Sequence, residues 1–453
     1  MNKKPSRHVR IARFSLTLLL SPSALAVLAA KPTPPPPSSP PPPGITTRVS
    51  VAGDGTQGNN ASYDTVLTPD ARYVAFVSDA SNLVPGDTNG QPDVFVRDRT
   101  TGTVERVSVA SDGTQANNWS YGAVISADGR YVAFYSYATN LVNAEPHYYS
   151  DVYVHDRATH TTERVSVASD GTTGDSYSFS PSISADGRYV AFESYATNLV
   201  AGDTNGMEDV FVRDRLAGAT ERISVDGTGG QGDKGSRQAR ITGDGRYVVF
   251  LSDATNLVPG DGNAATDVFL RDRVTYATER VSVGNGGVEG NDASYGSGVS
   301  ADGRWVLFCS DATNLVDGDT NGVTDTFVRD RSTGVTERVS LGPNGVQGND
   351  ASYTATISDD GNVVAFTSYA SNLVAGDTNY YGDAFVRIRS TSSTERVDLA
   401  SDGTQANDEV GFSVPSISAD GKYIAFDSYA SNLVAGDTNA VGDVFVRERT
   451  SSP

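Results

Sequence analysis

One cysteine, four histidines, two tryptophans and two methionines are spread over 453 residues, and acidic residues outnumber basic ones 55 to 35. The lone thiol, Cys309, has no partner for an internal disulfide, and its place in the run RWVLFCS reads as a small buried hydrophobe rather than a nucleophile. With so few histidines, a tetrahedral zinc centre would need them to converge in space. The formal net charge of −20 becomes −26 for residues 32–453, because residues 1–31 hold six basic residues and no acidic one. That balance disfavours nucleic acid and anionic membrane as partners, and favours solubility or cation binding. G-x-S-x-G, H-E-x-x-H, Walker and dinucleotide-binding motifs are missing, so any catalysis would rest on carboxylates or serine. The chain therefore leans away from an enzyme.

What the chain has is a repeat. The aspartate that opens the strand-like run DVFVRD falls at Asp93, Asp151, Asp209, Asp267, Asp325, Asp383 and Asp443, with five steps of 58 residues and a last step of 60. Each copy reads as four short strands. In the second copy, strand A ends at Ser126, an Asp128-Gly129 turn leads to strand B (130–136), strand C is DVYVHDR (151–157), and strand D is TERVSVAS (162–169). Strand B is apolar at both alternating phases, as a strand sandwiched between neighbouring sheets should be. Strand D mixes charge with apolar residues, which suits a solvent-facing outer edge. In the first copy the turn glycine is Ala71, which predicts a slightly strained or differently shaped turn there.

The repeat predicts an all-β fold, a seven-bladed β-propeller of four-stranded blades over residues 45–453. The segment ITTRVSV (45–51) is a D strand with no A, B or C before it, and the last copy lacks a D strand. The N-terminal strand is therefore expected to complete the seventh blade and close the ring. Ahead of it, residues 1–30 pair a basic opening with the apolar run FSLTLLL and small residues, an expected signal peptide with cleavage after Ala26 or Ala30. An anchor is the competing reading, but the run is interrupted at Ser21-Pro22-Ser23 and falls short of the roughly 20 residues a span needs. Residues 31–44, KPTPPPPSSPPPPG, are expected as a stiff extended linker. These features predict a periplasmic or secreted monomer without a membrane span.

The blade core ISADGRYVAFYS (125–136), DVYVHDR and TTERVSV (161–167) resembles the Asp-Gly hairpin repeat of TolB-type, WD-like propellers, with alanine in place of the usual proline at Ala127, Ala185, Ala301 and Ala419. The resemblance implies an exported bacterial member of that group. It also implies binding of an envelope or extracellular protein, peptide or glycan rather than chemistry.

The B-to-C and D-to-A connections are long and leave from one face, where any site is expected. In the B-to-C loop six copies carry Asp-x-Asn-x-x-x-Asp: Asp87, Asn89 and Asp93; Asp203, Asn205 and Asp209; Asp261, Asn263 and Asp267; Asp319, Asn321 and Asp325; Asp377, Asn379 and Asp383; Asp437, Asn439 and Asp443. Oxygen ligands at this spacing suit calcium, while the competing reading is a metal-free Asx turn with an aspartate pinning strand C. Copy two departs from the pattern and gathers Trp119, Tyr137, His147, Tyr148 and Tyr149, a candidate platform for a sugar ring or a peptide. Drift in a redundant repeat is the alternative. Lys234, Arg237 and Arg240 in copy four either draw an anionic group to the channel mouth or balance an acidic rim. Glu193 and Asp427 interrupt an otherwise uncharged column on strand B and are expected between blades.

Overall fold

The computed structural model describes residues 44–143, 148–411 and 413–450. Burial of strand B on both faces and a turn every few residues leave the chain one economical solution, antiparallel sheets stacked face to face. Seven four-stranded sheets form, each in the order A-B-C-D. In blade one these strands are Ser62–Leu67, Tyr73–Ser78, Asp93–Asp98 and Val104–Arg106. In blade seven, Ser416–Ile417, Tyr423–Ser428 and Asp443–Glu448 are completed by Ile45–Arg48, which pairs antiparallel with the C strand from Ile45 opposite Glu448 to Arg48 opposite Phe445. The predicted closure is present.

Both faces of strand B are buried, and each faces a different neighbour. Val74 and Phe76 of blade one pack with Ala425, Val444 and Val446 of blade seven, while Ala75 and Val77 pack with Val132, Phe134 and Tyr153 of blade two. Within each blade the B and C strands set two rings directly opposite each other, as in Phe76–Phe95 at 5.9 Å and Phe134–Tyr153 at 5.9 Å.

The last arginine of each C-strand motif clips blades together. Arg273 donates to Glu221 of the preceding blade at 2.7 Å and to the Gly245 carbonyl, and its guanidinium lies 4.3 Å from the Tyr189 ring centroid. The turn glycines sit against those same rings, so a Cβ at Gly129 would run into Tyr73. Ala71 occupies that position in blade one at φ 55°, the strained turn that its sequence implies.

Strand D departs from expectation. Its glutamates reach the neighbouring blade, as Glu221 does, and its arginines turn inward: the Arg106 side chain is 10% exposed. The two strand charges are therefore structural bonds more than a solvated edge.

The loop asparagine of each SNLV or TNLV segment also works at longer range than a local turn. Asn82 accepts from Asn59 N–H at 2.9 Å and donates to the Gln57 carbonyl at 2.9 Å, tying the B-to-C loop to the D-to-A loop, while Leu83 is buried beneath.

Candidate functional site

The two long connections meet where the D-to-A loop enters strand A beside the exit of strand B. In blade two the Trp119 carbonyl accepts from Tyr137 N–H at 3.0 Å and from the Ser136 hydroxyl at 2.9 Å, which fixes the two aromatic side chains side by side. Blade three repeats the arrangement 58 residues on, with Tyr195 N–H donating to the Tyr177 carbonyl at 3.0 Å. The rings then form a row across the blade boundary: Trp119 to Tyr137 at 6.2 Å, Tyr137 to Tyr177 at 6.4 Å and Tyr177 to Tyr149 at 4.8 Å, all near edge-to-face. A second row runs against the first, through Tyr121, Tyr135, Phe179 and Tyr195, with centroids 5.8 to 6.4 Å apart. Trp119 is 49% exposed, Tyr177 41%, Tyr195 43% and Tyr148 86%. Aromatic faces left in water at this density make this surface the candidate site.

The structure thus brings together Trp119, Tyr137 and Tyr149 and places Tyr148 beside them in the chain. His147 lies outside the described residues. His155 is buried against the Thr162 hydroxyl, and burial lowers its pKa, while His160 sits in the C-to-D turn on the opposite face. The partners that the single-blade comparison missed are Tyr177, Tyr195 and Phe179. The available signal was periodic: the positions matching Trp119 are Ala61, Tyr177, Gly235, Ala293, Ala351 and Glu409, so large rings occur in two adjacent blades alone.

The basic trio of blade four is largely committed to neighbouring carboxylates. Arg237 donates to Asp253 at 2.9 and 3.3 Å and to Thr266 at 3.3 Å. Half-buried Arg240 stabilises the charge on Glu193 and on Asp64, and exposed Lys234 acts on Asp233 and Asp253. This pattern fits a balanced acidic rim.

Glu193 lies between blades, 3% exposed, and accepts from the N–H of Gln238 at 2.5 Å. That N–H is turned out of the ladder because strand A of each of the first six blades carries a bulge, whose left-handed residue in blade four is Gln238 at φ 53°. Burial, then the neighbouring Glu208 carboxyl to which it hydrogen-bonds, holds the Glu193 proton well above the ordinary glutamate range. Two carboxyls in direct contact lack the 5 Å or wider spacing that glycoside hydrolysis uses. Asp427, in the same column, is also buried between blades, and desolvation pushes it up to about 6.

The loop aspartates do converge in all six copies, on an arginine from strand D. Arg106 lies 3.0 Å from Asp87 and 3.3 Å from Asp93, Arg338 3.1 Å from Asp319 and 2.7 Å from Asp325, and Arg48 3.4 Å from Asp437 and 3.2 Å from Asp443. Arg222 and Arg396 bridge their pairs in the same way. The loop asparagine makes the expected Asx turn, Asn89 accepting from Gln91 N–H at 3.0 Å, and it also donates to Asp93 at 2.8 Å. In blade four Glu289 replaces the usual glutamine, and Asp261, Asp267 and Glu289 present oxygens within 4.8 Å of one another. Those oxygens could hold a hard cation, but Arg280 lies 3.2, 3.2 and 2.6 Å from the three.

Blade six carries a different exception. Elsewhere a serine hydroxyl donates to the aspartate that opens strand C, as Ser108 does to Asp93 at 2.6 Å, but blade six has Asp398. It is fully buried, accepts from Ala384 N–H at 3.1 Å as the serine does, and faces Asp383. Two carboxyls can share that bond only if one keeps a proton. Burial first, and Asp383 second, raise the Asp398 pKa well above its ordinary value. A carboxyl raised in the fold contributes stability below its unfolded value of about 4, and loses it as pH rises through the folded value. Asp398→Ser is therefore expected to stabilise the protein by about 1–4 kcal/mol at neutral pH, with the gain shrinking toward acid. Urea unfolding across a pH series measures it, and a gain independent of pH would overturn the shared-proton reading.

Two concavities of about 610 and 370 Å³ lie away from the rings, lined by residues such as Thr46, Ser401 and Asn432, and Ser169, Asn198 and Thr220. Neither is lined by an aromatic ring.

No protein-family profile and no curated protein sequence matches the chain. Similar solved structures include oligogalacturonate lyase from Vibrio parahaemolyticus, 14% identical, with a TM-score of 0.51 over 89% of this chain and 93% of that one. The β-propeller domain of the Trilobed protease from Pyrococcus furiosus, described as having an open velcro topology, is 11% identical, with a TM-score of 0.53 over 86% and 95%. TolB from Acinetobacter baumannii is 15% identical, with a TM-score of 0.39 over 74% and 62%. At these identities the comparisons speak for the fold alone: the chain is a seven-bladed β-propeller.

Proposed function

We propose that this chain is an exported, non-catalytic binding module that holds its ligand against the aromatic row of blades two and three. The observation that carries the reading is the continuity of Trp119, Tyr137, Tyr177 and Tyr149 across a blade boundary, with a large ring at the Trp119 position in blades two and three alone. The fold does not require those rings, because blade four builds the same four strands with Gly235, Asp253 and Ala265 at the matching positions. The partner is an envelope or extracellular protein, peptide or glycan. No helix of the described residues is long and apolar enough to cross a membrane. Under this reading calcium has no part in ligand binding, and the arginines close the six loops.

The test is a paired capture experiment on glycan and peptide arrays with the wild-type protein and a Trp119→Ala/Tyr177→Ala variant. Surface truncations change stability by about 0.5 kcal/mol each, so the fold is expected to survive. Binding should fall at least about tenfold, the loss of one good aromatic contact. Ligands bound equally by both proteins would refute the site.

A further inference from the structure

Building on the aromatic platform, we propose that its ligand is an uncharged, polyhydroxylated chain, a neutral oligosaccharide. The rings alone would accept several ligand classes. A pyranose offers an apolar C–H face to stack, a peptide offers proline or aromatic side chains, and a cation is drawn to the face of an electron-rich ring. The charges around the rings decide among these.

The carboxylates that stand at the Tyr137 position in blades one, four and five are matched internally. Asp79 accepts from the Tyr63 hydroxyl at 3.1 Å, Asp253 is held by Arg237, and Asp311 accepts from the Tyr295 hydroxyl at 2.8 Å and from Thr324 at 2.5 Å. Glu208 accepts from the Tyr195 hydroxyl at 3.4 Å and shares the raised proton of Glu193, which removes one negative charge where the two rows meet. A cationic ligand would need such a carboxylate to give up its present partner, and an aromatic cage without a counter-charge pays desolvation of the cation. An anionic chain meets a protein of net charge −20 and a site whose arginine is already paired. A neutral ligand pays neither cost. It stacks on exposed rings, and it exchanges hydrogen bonds with the tyrosine hydroxyls that edge the row, each able to donate and to accept.

Shape points the same way. Successive centroids 6.2, 6.4 and 4.8 Å apart with near-perpendicular planes form a ridged track over which a chain can run, crossing from blade two to blade three, instead of a closed socket for one group. The neighbouring blades carry Ala61 and Gly235 at the matching position, so the track has open ends.

The test uses intrinsic fluorescence. The chain has two tryptophans, and Trp305 is stacked between Arg304 and Arg389, so a Trp305→Phe background leaves Trp119 as the reporter. Cello-, manno- and malto-oligosaccharides are titrated alongside an oligogalacturonate, an oligolysine and a proline-rich peptide, each at low and high salt. A saturable change with one neutral series, unaffected by salt and weakened at least tenfold by Tyr177→Ala, is the expected result. A saturable response to oligogalacturonate, oligolysine or the peptide with none from neutral sugars overturns the ligand class and leaves the platform standing. Silence from every probe, in wild type and variants alike, overturns both.

Discussion

Removal of residues 45–51 is expected to abolish the cooperative fold. Val49 and Val51 are buried in the seam between blades seven and one, each worth about 1.5–3 kcal/mol. Arg48 lies against Asp437 and Asp443, and leaving those buried carboxylates without their cation costs about 3–5 kcal/mol. Ser50 donates to Asp443 at 2.5 Å and accepts from Val444 N–H at 3.1 Å, and Val49 N–H donates to the Val444 carbonyl at 2.7 Å. The total, about 6–11 kcal/mol, is comparable to the whole stability of a typical domain. Deletion should shift the urea midpoint to near zero, and the peptide ITTRVSV supplied in trans should restore part of it. A deletion variant with an unchanged melting temperature would mean that the ring holds without its closing strand.

The second large effect concerns the arginines at the loop aspartates. Arg338→Met keeps the apolar stem and removes the guanidinium, so Asp319 and Asp325, both nearly inaccessible, lose their shared cation. The expected cost is about 3–5 kcal/mol. Converting both aspartates to asparagine in the same variant should recover most of it, because the charge that needed a partner is gone. Calcium provides the discriminating measurement. Wild-type protein is expected to show no change in melting temperature in millimolar calcium, because a cation would have to displace a buried guanidinium in every loop. A large rise in the wild-type melting temperature would instead establish the six loops as calcium sites.

Much of this molecule is legible in the chain. The 58-residue period, the apolar phases of strand B and the stray D strand at 45–51 carry blade number, strand order and ring closure. The Asp-Gly turns read correctly, down to the positive φ at Ala71. The loop motif was harder. Asp87, Asn89 and Asp93 satisfy the spacing of a cation loop and of an Asx turn equally, and the residue that separates these readings, Arg106, lies 13 residues beyond Asp93 on a strand whose charges looked like a solvated edge. The aromatic site was half legible for a related reason. Copy two stood out when compared with its siblings, whereas Tyr177 and Tyr195 looked ordinary until the ring set blade three beside it.

What the sequence determined by itself is the architecture, because hydrogen-bond registers and alternating burial repeat with a fixed period and need only nearby residues to be read. What the tertiary structure decided is which side chains from different blades meet: arginine with the loop aspartates, Glu193 with Glu208 and Gln238 N–H, and rings 40 residues apart in one row. Those encounters, and the burial that shifts the Glu193 and Asp398 protons, depend on the geometry of the closed ring, which no single repeat encodes.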